Sequence, residues 1–173
     1  MATMTWTAPE ITRTDEPTVA DERTMLQGWL DWHRQTLLYK CQGLTAEQLK
    51  RAAVPPSNLT LLGLVRHMAE VERVWFRRRV RGEDIGSIFG DRDEGFEGIE
   101  EADAEADFAT FHAEVKAADA AAAGVPLDFT FRHPRSGNEI SVRWVYLHMI
   151  EEYARHNGHA DLIRERIDGA TGA

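Results

Sequence analysis

Four long stretches of this chain repeat their apolar residues with the period of an α-helix, and they account for most of its regular patterning. The first runs from about Asp21 to Gln42, with Met25, Leu26, Trp29, Leu30, Trp32, Leu37 and Leu38 as its apolar or aromatic residues and Asp21 placed to cap it. Thr45-Ala-Glu-Gln48 is a capping-box pattern opening a short helix, which has to end before Pro55-Pro56. Ser57 to Thr60 can then cap a second long helix reaching about Arg81, with Leu61, Leu64, Val65, Met68, Val71, Trp75 and Phe76 as its stripe. The third, about Ala104 to Ala123, is rich in Ala and carries Phe108, Phe111 and Val115 on its apolar side. The fourth begins near Ser141 to Arg143 and continues to about Ile167, where Gly169 is placed to stop it. Before it, Asp128–Arg132 and Glu139–Val142 flank His133-Pro-Arg-Ser-Gly-Asn138, the pattern of two short strands joined by a turn. The expected fold is all-α: a four-helix bundle with a short β-hairpin before the last helix.

At 173 residues the chain is long enough for one domain with a real core, expected over residues 21–173. Residues 1–20, rich in Thr, Pro and acids, are expected to form a flexible or surface-clinging arm. A net charge of -9 opposes a nucleic-acid or anionic-membrane surface at long range. Much of that acidity falls in Glu83–Asp107, a Gly-containing stretch that reads as a solvated loop. No segment is apolar over enough residues to span a bilayer, and the first residues lack a basic start followed by an apolar run. Cys41 is the only thiol, so no intramolecular disulfide can form and a Cys-rich zinc site is excluded. These features together suggest the cytoplasm.

The chemistry concentrates on the last helix. His148, Glu152, His156 and His159 follow one another at offsets of four, four and three residues and therefore share one face. Val145, Ala160 and Ile163 lie on the same stripe, so imidazoles and a carboxylate run along a face otherwise suited to a core. Ionisable groups there need partners, and a bound cation is one way to supply them. His148 and His156 are separated by ~12 Å along the axis, too far to share an ion. Glu152 and His156, one turn apart, can converge on one if a third ligand arrives from another helix. His67, the only His on the second helix and on the flank of its apolar stripe, is the natural donor. Two His and one carboxylate with open positions suit catalytic Zn²⁺, and also Fe²⁺ or Ni²⁺. Spacing alone leaves a second reading open: a polar stripe in which Glu152 pairs with a histidinium or with Arg155, and a hydrogen-bonded His67. His33, His112 and His133 fall outside the ladder, and the Trp residues at 29, 32, 75 and 144 read as packing.

The segment His148-Met-Ile-Glu-Glu152-Tyr-Ala-Arg-His156-Asn-Gly158-His159 resembles the last-helix motif of the DinB-like superfamily, which includes the N-terminal domains of mycothiol-dependent maleylpyruvate isomerases. Leu64-Val-Arg-His67 followed by Val71-Glu-Arg-Val-Trp75-Phe is similar to the second-helix motif of the same superfamily, and the resemblance covers about Asp21 to Asp168. It implies a metal held by His67, Glu152 and His156. Many DinB-like relatives carry His where this chain has Glu152 and Gln where it has His159. The first departure points to the isomerase-like, thiol S-transferase branch, and the second leaves the role of His159 open.

The resemblance further implies a divalent metal, most readily zinc, that activates a low-molecular-weight thiol such as mycothiol for attack on a small electrophile. In that scheme His148 or His159 orients a ligand or shuttles a proton, and Arg155 meets the cofactor. Two alternatives stand beside it: a metallohydrolase using metal-activated water, and a non-catalytic bundle that binds a partner. A homodimer through an outer helix face is a further expectation.

Overall fold

Each α-helix among the described residues begins on a side chain that accepts a hydrogen bond from one of the otherwise unpaired first N–H groups. In the computed structural model, which describes residues 5–90 and 94–172, Asp21 caps α1 (Glu22–Cys41), and Thr45 with Gln48 closes a capping box on α2 (Ala46–Leu49). Thr60 caps α3 (Leu61–Glu72), Asp103 caps α4 (Ala104–Ala122), and Ser141 caps α5 (Val142–Asp168). Gly169, at φ 80°, ends α5 in the left-handed conformation that glycine adopts without strain. The antiparallel strands β1 (Thr130–Arg132) and β2 (Glu139–Ser141) pair Phe131 with Ile140 and form the hairpin that leads into α5.

The helices pack as the apolar periodicity demands, α1 against α5 and α3 against α4, with α3 and α5 meeting in the middle. Leu30, Leu37, Leu64, Met68, Phe76, Phe111, Tyr146, Met149 and Tyr153 fill the core. Its centre is polar. The Arg34 guanidinium grips Glu72 with two bonds of 2.7 Å, and Tyr153 donates to the same carboxylate at 2.8 Å. Asp31 and Asp119, each 2.8 Å from Arg34, extend the cluster to α4, so one network, buried at Arg34 and Glu72 and reaching solvent at the two aspartates, ties the four long helices together. Burial works against the charge on Arg34, but Glu72 and its neighbours outweigh it and raise the guanidinium well above its ordinary pKa.

Two features depart from the pattern read in the sequence. The second long helix changes character after Glu72: Arg73–Val80 is wound as a π-helix, a form frequent at functional sites. Residues 81–90 and 94–103 are also more than a solvated loop. The Ile88 N–H donates to Glu70 at 2.7 Å, Lys50 reaches the Glu100 carbonyl, Ile99 is buried, and Phe96 packs on α3 beside Gly63. The expectation of a solvated loop also covered residues 91–93, which lie outside the described residues. In the N-terminal segment, Ala8 exchanges backbone bonds with Leu44 and Gly43, and the Trp6 ring meets Phe108 edge-on.

Candidate functional site

His67 reaches the bundle interior because α3 turns its flank toward α5, where Glu152 and His156 stand one turn apart. One donor atom from each of His67, Glu152 and His156 lies within 4.8 Å of the other two. The His67 and His156 rings are 4.7 Å apart and roughly perpendicular, and His156 Nε2 is 3.5 Å from Glu152 Oε2. Donors about 2.1 Å from a tetrahedral ion stand ~3.4 Å apart, so the Glu152–His156 pair already has the separation a single ion requires. Burial, with His159 and Arg155 nearby, lowers the His156 pKa from 6.5 to about 4. The ring is therefore neutral at neutral pH, with a lone pair to offer.

The other two ladder residues differ in position. His159 stands behind His156, its Nδ1 3.3 Å from His156 Nδ1. His148 lies one turn before Glu152, with Nε2 3.6 Å from Glu152 Oε1 and Nδ1 3.6 Å from Glu151. His148, Glu151 and Glu152 also make a second group of clustered donor atoms that shares Glu152 with the first. Burial lowers the His148 pKa against the pull of Glu152 and Glu151. Its ring is clamped between two tryptophans, stacked on Trp144 at 4.7 Å and edge-on to Trp75 at 4.7 Å. The periodic stripe had assigned both tryptophans to packing. They do pack, but against an imidazole, and Trp144 remains 43% exposed.

His67, Glu152 and His148 open onto a cleft of about 510 Å³ whose other walls include Trp75, Arg78, Arg79, His133 and Arg135. His133, read as a turn residue without a role, stacks on Trp75 at 5.9 Å. Phe96 covers the other side of His67, with ring centroids 5.4 Å apart. Spacing within single helices could not reveal His133, Arg135 and Phe96, because the hairpin and residues 94–103 bring them in from outside the ladder. The run of arginines after Trp75 in an acidic chain was the one available signal.

The arginines nearer the motifs are engaged elsewhere. Arg155 bonds Glu151 on an exposed face, Arg143 bonds Glu22, and Arg66 lies 3.7 Å from Asp107. None of the three is among the residues lining the cleft. A larger hollow of about 690 Å³ is lined by Thr14, Arg23, Gln27, Asp31, Asp119 and Tyr146 among others. It lacks imidazole and thiol groups, and Gln27 already bonds Asp31 at 2.9 Å and accepts from Tyr146 at 2.9 Å. Cys41 is fully buried and its thiol is pushed up to about 12, which leaves it unreactive at neutral pH.

A model of the family described as mycothiol-S-transferase matches residues 25–169. No curated protein and no solved structure gives a significant match.

Proposed function

The chain belongs to the mycothiol-S-transferase family, a DinB-like family, and we propose that it joins a low-molecular-weight thiol to a small electrophile at a divalent metal held by His67, Glu152 and His156. The observation carrying this reading is the meeting of two imidazoles and a carboxylate from α3 and α5, with His67 and Glu152 lining a cleft. Three protein donors leave a position free, the arrangement of catalytic rather than structural sites. A divalent ion there would lower the pKa of a thiol placed beside it, so that the nucleophilic thiolate is present at neutral pH.

The chain's own residues prepare that chemistry. His156 faces Glu152 through Nε2 and His159 through Nδ1. With Nε2 given to a metal, His156 would keep its proton on Nδ1 and donate it to His159 Nδ1, 3.3 Å away, which would hold the ring in that tautomer. His148, neutral and held by Trp75 and Trp144, can receive the thiol proton at Nε2 and stay within reach of Glu152. Trp75, Val71 and Val74 give the cleft apolar surface beside the charged groups that line the rest of it. The sulfur has to come from outside, because the only cysteine is sealed in the core.

Incubating the protein with mycothiol and a small alkylating electrophile, with the products separated by chromatography, tests this reading. A conjugate whose formation requires both protein and thiol is expected, with at least a hundredfold loss of rate in Glu152→Ala, as losing a general catalyst or its support typically costs ~10² or more. Electrophile loss in water alone, without a conjugate, would instead favour a metallohydrolase.

A further inference from the structure

The π-helical segment carries four arginines, and they divide into two pairs. Arg73 and Arg77 both bond Glu114, and Arg77 also bonds Glu83. Arg78 and Arg79 turn the other way, into the cleft that His67 and Glu152 line, and Arg135 joins them from the hairpin turn. Among the described residues these three have no salt-bridge partner, and Arg79 Nε is buried without a hydrogen bond. Burial first, then the neighbouring charges of Arg78 and Arg135, pull the Arg79 guanidinium below its ordinary value. Three cations gathered in one hollow of a chain with net charge -9 repel one another. Buried donors without partners carry a further cost, and an anion would relieve both.

We propose that Arg78, Arg79 and Arg135 form an anion subsite that takes a carboxylate of the electrophile, so that the preferred substrates are small carboxylate-bearing electrophiles. The proposal rests on the thiol-transfer reading of the cleft and adds its substrate class. The carboxylate belongs to the electrophile because mycothiol offers hydroxyls and amides around its sulfur and no carboxylate. Guanidinium groups suit this task, since their planar N–H pairs match the two oxygens of a carboxylate. The shared cleft places that carboxylate on the same molecule as the carbon presented to sulfur near His67 and Glu152.

The test separates binding from turnover. Succinate, succinamide and inorganic phosphate are titrated by calorimetry into the purified full-length protein, its Arg79→Gln and Arg135→Gln variants, and the charge-retaining Arg79→Lys. Succinate is expected to bind, with succinamide at least tenfold weaker. Each Gln variant is expected to lose about tenfold in succinate affinity, as for one charge-assisted hydrogen bond, and Arg79→Lys to keep most of it. Equal binding of succinamide, or variants that bind succinate as the wild type does, would overturn the proposal. Phosphate binding tighter than succinate would also overturn it, by assigning the arginines to a phosphoryl group. A second arm compares iodoacetate with iodoacetamide in mycothiol conjugation, where the sulfur–carbon bond forms as iodide leaves, each rate divided by its uncatalysed rate. A preference for iodoacetate of about tenfold that collapses in Arg135→Gln supports the subsite. Turnover without that preference overturns the subsite alone, whereas intact succinate binding without any turnover overturns thiol transfer and leaves the subsite standing.

Discussion

The residues that carry most consequence are those whose charge or protonation the fold has set. Glu72 is completely buried and is held by Arg34 and Tyr153. Glu72→Ala leaves the Arg34 guanidinium uncompensated, and urea unfolding is expected to show a loss of ~3–5 kcal/mol. Replacing both partners with apolar residues, Arg34→Met with Glu72→Leu, should cost clearly less than the single change. His156 gives the pH dependence its sign. Its pKa is lowered in the fold from 6.5 to about 4, so between those values the unfolded chain binds more protons. Stability of the metal-free protein should therefore fall as pH drops from 6.5 toward 4 and gain little from this group above 6.5, which denaturation across that range would show. A stability that rose on acidification through the window would contradict the assignment. His67, Glu152 and His156 were legible in the sequence, because their spacing and the apolar stripe at His67 define faces. Arg34 and Glu72 were not, since a buried ion pair is invisible until the two helices that carry it are docked.

At the scale of elements, the sequence patterns located nearly every boundary within a residue or two, because caps and apolar period act locally. The π-helical turn at Arg73–Val80 escaped them, as a stripe running through Val71, Trp75 and Phe76 fits an ordinary helix equally well. The segment after it was misjudged for a related reason: its acidic composition hid Ile88 and Phe96, which pack on the core, and the buried Ile99. Gly63 is what lets that segment approach. A Cβ there would sit 2.6 Å from the Phe96 ring, which itself covers His67. Gly63→Ala should destabilise the protein by about 1–3 kcal/mol through overpacking and lower its thermal midpoint by several degrees. An unchanged midpoint would show that Phe96 is not held as described. The hairpin also has a purpose beyond linking helices, because it delivers His133 and Arg135 to the cleft.

For the molecule as a whole, one bundle places its reactive groups on one side and seals its only thiol away. Cys41 should resist a disulfide reagent in the native state and react in full once the chain is unfolded, a difference readable by absorbance. Rapid native labelling would mean that the core opens far more readily than its packing implies. The family match over residues 25–169 takes in residues of all four long helices. Among the described residues no helix is long and apolar enough to cross a membrane. The proposed thiol transfer depends on one divalent ion held by His67, Glu152 and His156. Element-resolved metal analysis of protein purified without chelator, alongside His67→Ala and Glu152→Ala, tests it most directly. About one zinc, iron or nickel ion per chain, lost in both variants while their helical content is unchanged, is the predicted result. A wild type that neither carries nor takes up any of the three ions would contradict it.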